Sequence, residues 1–256
     1  MIMEIVVCIK RVPDTAEIDI EITPAGRGIK SDDLVFGISE WDKFAVEEAI
    51  RIREAVGGRI TAITVGDEDS EDVLRRALAM GADDALRIEP ENFDQTDAYS
   101  IARLLCTAIE GRPFDLILTG AVSGDLGAGM VGGMVAAMLD IPQVALATRI
   151  GVSGTTVQVQ HEVENGLERI VEVSLPALVT VQTGINEPRY VSIRGIRKVS
   201  QIEIPVVKPG VATEEAWATV DELHLPIVEH RAEILKGNTE DLVDQLIQRL
   251  KVRGGL

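Results

Sequence analysis

Across its first 150 residues the chain alternates short β-branched runs with helical patterns, and that alternation leaves few folds open. When each strand is followed by a helix before the next strand arrives, the strands pair in parallel and the helices cover the faces. Ile5 to Ile9 opens the series. The stretch from Ser39 to Gly58 reads as a helix. Trp41, Phe44, Ala45, Ala49, Ile52 and Val56 recur at three- or four-residue spacing, Gly57 and Gly58 stop it, and Ser39 with Asp42 has the S-x-x-D form of a capping box. RITAITVG follows as a strand, then a helix from about Ser70 to Met80 ended by Gly81, the strand ALRIE, and a helix that Asp97 can cap. FDLILTG is a buried strand, GMVGGMVAAML a glycine-rich helix and PQVALATRI a further strand.

From Thr155 the period changes to two. Val157, Val159 and Val163 fall on one arm and Val171, Val173 and Leu175 on the other, with Asn165-Gly166 between them as a hairpin turn. The sheet is therefore expected to gain antiparallel strands over 155–175. Residues 185–208 carry turn and basic residues in place of a core pattern. The last stretch, 209–256, reads as an arm ending in one helix, capped by Asn238 or Thr239, with Leu242, Val243, Leu246 and Leu250 as its apolar positions. Arg249, Lys251 and Arg253 suit the negative end of that helix. Such an arm docks on another chain or packs back on its own domain, residues 1–208.

Charge and composition narrow the function. With 42 acidic and 25 basic side chains the net charge is −17, which opposes attraction to nucleic acid. No stretch approaches the roughly 18 uninterrupted apolar residues of a membrane span, and the N-terminus has no secretion-signal pattern. Cys8 and Cys106 are too few for a disulfide framework and lack metal-ligand spacing, so a reducing cytoplasm is expected and no metal is assigned. His161, His224 and His230 are scattered, no G-x-S-x-G elbow occurs, and no catalytic set emerges. The pattern is that of a chain that binds without making bonds.

Ligands of such sheets sit beyond the carboxyl ends of the strands where strand order reverses, which directs attention to the loops after Ile9, Val65 and Leu118. The third loop, Thr119 to Gly133, runs from a buried strand into a helix, and its small residues let backbone amides approach an anion. It is neither a Walker loop nor a dinucleotide fingerprint, and close helix packing is the plainer alternative. Asp125 within it suits a hydroxyl, an amide or a helix cap better than a phosphate. Elsewhere, Arg189, Arg194, Arg197 and Lys198 stand together with no acidic residue from 189 to 198, and Ile193 and Ile196 lie among them. Aliphatics in a basic loop fit a docking anchor steered by charge, or else an ordinary solvated crossover.

These residues carry a resemblance. LPALVTVQTGINEPRYVSIRGIRK is similar to the signature of the electron transfer flavoprotein beta subunit, and CIKRVPDT, FAVEEAIRIRE, RRALAMGAD and HEVENGLE extend the likeness from residue 3 to about 207. The resemblance implies a three-layer α/β domain of the adenine-nucleotide α-hydrolase type, with an added hairpin and an arm that wraps an alpha subunit. It implies an FAD held mainly by that alpha subunit, AMP or a second FAD in this chain, and electrons accepted from flavoprotein dehydrogenases of the acyl-CoA dehydrogenase type. Carried over, the nucleotide pocket comprises Cys8, Lys10, Ser39, Trp41, Asp42, Val65, Gly66, Ser123, Gly124, Asp125, Gly127, Ala128, Gly129, Met130 and Val131. Glu162 takes the place of the hairpin glutamate near the FAD. Arg189, Tyr190, Ile193, Arg194, Ile196, Arg197 and Lys198 form the partner-recognition segment, with Ile193 as its anchor. The chain departs from the family at Ser39-Glu40-Trp41, where N-P-F/Y is usual, and in the glycine-rich run 123–130. Two other functions stay open: a subunit of an electron-bifurcating complex, and a homomeric nucleotide-binding regulator of the universal-stress type.

Overall fold

A strand with almost no polar side chain can be buried on both faces, and β1 (Glu4–Cys8) is such a strand, inward at four of five positions. It pairs in parallel with β4 (Arg59–Val65) on one side and β6 (Leu116–Gly120) on the other, with Ile5 opposite Ile60 and Leu116. The computed structural model describes residues 2–15, 18, 20–90, 97–209, 216–226 and 232–254. Besides these strands, its main sheet contains β5 (Asp84–Ile88), β7 (Gln143–Ser153), β8 (Thr156–Val163), β9 (Leu167–Ser174), β10 (Ala177–Val181) and β11 (Val206–Val207). The order is β11-β5-β4-β1-β6-β10-β7-β8-β9, parallel as far as β7 and antiparallel beyond it.

Alternation along β1 sends Ile5 and Val7 to one face and Val6 and Cys8 to the other. The first face is covered by α1 (Glu40–Val56) and α2 (Glu71–Met80), the second by α3 (Ala98–Glu110) and α4 (Val131–Met138), giving three layers. Each fully buried Ile, Leu or Val in these clusters contributes about 1.5–3 kcal/mol. The helix ends follow the sequence: Asp97 accepts from the Ser100 amide at 2.8 Å, and Gly81 closes α2 with φ 137°.

The hairpin also forms as expected. Asn165 and Gly166 both take positive φ, 64° and 68°, and place Val157 opposite Val173 and Val159 opposite Val171. Two features lie beyond those expectations. ALVTV, just past the hairpin of 155–175, returns as β10 to the centre, parallel between β6 and β7, with all five residues buried. Its run of apolar residues, interrupted only by the buried Thr180, is the mark of a strand covered on both faces. A second, two-stranded sheet pairs β2 (Arg11–Asp14) with β3 (Val35–Ile38), an element that four-residue runs were too short to announce.

Past Pro209 no described residue is buried. The arm touches the domain where Leu223 N donates to Gly26 O and where Trp217 stacks on Tyr99, ring centroids 4.1 Å apart. Its helix α6 (Thr239–Val252) is capped by Asn238, which accepts from the Asp241 amide. Among the described residues no helix is long and apolar enough to cross a membrane.

Candidate functional site

The chain leaves β1 toward one edge of the sheet through β4 and β5, and later builds outward from β6 toward the other. The carboxyl ends of β1 and β6 are therefore the switch point at which open α/β sheets bind ligands. A cavity of about 430 Å³ opens there. Cys8, Ile9 and Lys10 line it after β1, Thr119 to Ser123 after β6, and Asp125 and Ala128 to Gly132 along the glycine-rich loop. Val65, Ile101, Leu105 and Val131 give it an apolar wall.

The start of α1 holds this mouth in shape. Asp42 lies at the third position of the helix, yet it does not reach back to cap its own first turn. Its Oδ2 accepts from the Lys10 amide at 2.7 Å and its Oδ1 from the Gly120 amide at 3.0 Å, so one carboxylate ties the ends of both central strands. Ser39, fully buried, accepts from the Gly124 amide at 3.3 Å and makes no cap bond within the helix. The capping-box expectation is thereby corrected: both side chains serve loops brought to them by the sheet. The approach is close enough that a Cβ at Gly120 would stand 2.4 Å from Asp42 Oδ1 and 2.7 Å from Trp41 Cβ. Burial pushes the Asp42 carboxyl up to about 7, against the lowering pull of the two amides.

Charge in the cavity is largely committed. Lys10 Nζ sits 2.6 Å from Asp125 Oδ2 and 2.8 Å from Oδ1, closing the glycine-rich loop over the opening. Burial would raise the Asp125 carboxyl, but hydrogen bonding to the Lys10 ammonium overrides it and keeps Asp125 below the usual carboxylate range. Asp67 caps the turn at Ser70. Asp97 caps α3 with one oxygen and takes the Trp217 and Ala218 amides on the other, at 2.9 and 3.1 Å. Arg11 lies over the Phe36 ring at 3.9 Å, at the edge of the same cavity. The N-terminus of α4 has no side-chain cap and faces the opening through Met130, Val131 and Gly132, as an anion site requires. Burial drives the Cys8 thiol far above its ordinary range and Cys106 to about 11, so neither is set up as a nucleophile.

Of the residues expected at the pocket, Cys8, Lys10, Asp42, Val65, Ser123, Asp125, Ala128, Gly129, Met130 and Val131 line the cavity. Ser39, Trp41, Gly66, Gly124 and Gly127 are not in its lining. Ser39 stands behind the loop, its side-chain Oγ accepting from the Gly124 amide, while the Gly66 and Gly127 amides donate to Ile88 O and Ser123 O. Sequence reading missed Arg11, Phe36, Asp97, Ile101 and Leu105. The last two are spaced i, i+4 on α3, which marks an apolar face without distinguishing core from pocket wall.

The other expected residues lie apart from the cavity. Glu162 is exposed on β8, opposite Glu168. The basic loop is in part a helix, α5 (Ile193–Val199), capped by Ser192. Tyr190 is 89% exposed and Ile193 68%, Arg194, Arg197 and Lys198 face solvent, and Ile196 is half-buried. Arg189 does not present a free charge, because its guanidinium is paired with Glu47 and Glu54. His224 lies beside Glu222, and His230 falls outside the described residues.

Comparison with known proteins gives this geometry a family. The electron transfer flavoprotein domain matches residues 29–212. The electron transfer flavoprotein subunit beta of Bacillus subtilis is 36% identical over 97% of this chain and 98% of its own length. Those of Thermoanaerobacterium thermosaccharolyticum and Homo sapiens are 37% and 31% identical, over 98% and 95% of this chain and 99% and 96% of theirs. The chain belongs to the electron transfer flavoprotein beta-subunit family. Its role is that of an electron-carrier subunit in a flavin-dependent system, and membership sets aside the homomeric regulator.

Proposed function

We propose that this chain is one half of a heterodimer that accepts electrons from flavoprotein dehydrogenases of the acyl-CoA dehydrogenase type and passes them to a downstream acceptor. The alpha subunit holds the redox FAD, Glu162 lies near that flavin, and the cavity of this chain holds an adenine nucleotide. The switch-point cavity carries the reading. At about 430 Å³ it lies toward the lower end of the roughly 300–1,000 Å³ typical of small-molecule sites, which suits a mononucleotide such as AMP. The uncapped start of α4 would receive the phosphate, the apolar wall at Val65, Ile101 and Leu105 the base, and the acid-rich rim the ribose hydroxyls. Bound there, the nucleotide supplies shape and does no redox chemistry.

Residues 1–208 form the nucleotide domain, and 209–256 an arm whose exposed α6 stripe docks on the alpha subunit. Two buried free cysteines agree with a reducing, cytoplasmic setting. The test is composition: the heterodimer purified with its alpha subunit should release one FAD and one AMP per dimer on denaturation. Two flavins and no AMP would instead make the chain part of a bifurcating complex, and no nucleotide beyond a single FAD would overturn the pocket's assignment.

A further inference from the structure

The segment expected to meet a donor is fastened at both ends, and between them it leaves Tyr190 and Ile193 projecting. At its start the guanidinium of Arg189 forms a fork on Glu47, with Nε to Oε2 at 2.8 Å and Nη2 to Oε1 at 3.0 Å, while the Arg189 backbone amide reaches the same Oε2 at 3.1 Å. Nη1 adds Glu54 at 3.1 Å. Three residues earlier, Asn186 Nδ2 donates to Phe44 O at 3.0 Å and to Glu48 Oε2 at 2.9 Å. All of these acceptors belong to α1, and Glu47 and Glu48 are only 5% and 6% exposed. At the far end Arg75 of α2 donates to Ile202 O at 2.8 Å, and α5 packs on α2 in between. Val191 packs against the core and Ile196 is half-buried, whereas Tyr190 and Ile193 project.

A carboxylate as deeply buried as Glu47 is costly unless a cation with matching geometry answers it. Only arginine offers two parallel N–H donors in a fixed plane, so this pair sets an orientation as well as a distance. Ile193 lies four residues beyond the fork and Tyr190 immediately after it, too short a lever for slack at residue 189 not to move both.

We infer that Glu47 and Arg189 are positioning residues for donor recognition, fixing the start of a platform on which Tyr190 and Ile193 make the contacts. Arg189 thus acts through its neighbours and not as a steering charge. The inference rests on the docking reading proposed above, and the experiment separates the two. The heterodimer and its Glu47→Gln, Arg189→Lys and Ile193→Ala variants would be reduced by an acyl-CoA dehydrogenase charged with its acyl-CoA, with amide exchange followed over residues 186–202. Glu47→Gln should raise the donor concentration for half-maximal rate about tenfold, equivalent to about 1.4 kcal/mol, with the limiting rate and flavin content unchanged. Exchange over 190–199 should quicken by a similar factor, and Arg189→Lys, which keeps charge but not the fork, should behave in the same way. A merely structural role would instead lower flavin content and limiting rate together. Unchanged half-saturation in Glu47→Gln and Arg189→Lys, where Ile193→Ala impairs it, overturns the positioning role. Unchanged kinetics in Ile193→Ala overturns the docking reading, and the exchange measurement then still decides whether the fork rigidifies the segment.

Discussion

The central sheet and the arm treat apolar side chains in opposite ways. Ile63, Ile117, Leu118 and Leu178 have no exposure at all, each sandwiched between strand neighbours and a helix layer. On α6, Val243, Leu246, Ile247 and Leu250 form a stripe at helical spacing and remain 37–50% exposed. A helix of this length is marginal in water without a surface to lie on. The domain therefore satisfies itself, whereas the arm leaves its apolar stripe exposed, as the docking on an alpha subunit proposed above requires.

Four measurements would break or sharpen that contrast. Ile117→Ala, at the fully buried second position of β6, should cost about 2–5 kcal/mol, read as a fall in urea midpoint; a loss under 1 kcal/mol would mean the sheet is not the stabilising unit. Gly120→Ala should cost about 1–3 kcal/mol by pushing α1 from the strand ends, and should also abolish the nucleotide binding proposed for the switch-point cavity. Asp42→Asn places a donor against a backbone amide, at a cost of about 1–3 kcal/mol. It also changes the pH profile. The wild-type carboxyl titrates near 7 when folded against 3.8 when unfolded, so the folded state binds the extra proton and Asp42's contribution falls as pH rises through that window. The Asn variant lacks this term, so its deficit relative to wild type should shrink between pH 4.5 and 7.5; a constant deficit would refute the buried-acid assignment. Smallest of all, Leu246→Ala should leave the unfolding of the isolated chain within about 0.5 kcal/mol of wild type. Its effect should appear instead as reduced co-purification of the alpha subunit.

Legibility followed the range of the interaction. Helix ends set by neighbours in sequence, at Asp97, Gly81 and Asn238, could be read directly, as could the Asn165-Gly166 turn. So could the switch-point loops, because alternating strands and helices fix where the carboxyl ends lie. Ser39 and Asp42 misled because the local pattern offered a cap, while the fold delivered amides from Lys10, Gly120 and Gly124, tens of residues away. Arg189 misled for the same reason, since the acid-free run from 189 to 198 gives no sign of the Glu47 that α1 brings beneath it. The pocket's Phe36 and Arg11 come from a hairpin of four-residue strands, below the length at which periodicity carries information.

The two borders of the main sheet have a consequence for the chain before it meets its companion. A bare strand edge invites identical molecules to add to it. Here one border is β11, only two residues long, and the other is β9, where Glu168, Arg169 and Glu172 interrupt the hydrocarbon. With a net charge of −17 repelling further copies, a newly made molecule is kept from polymerising on itself while it waits.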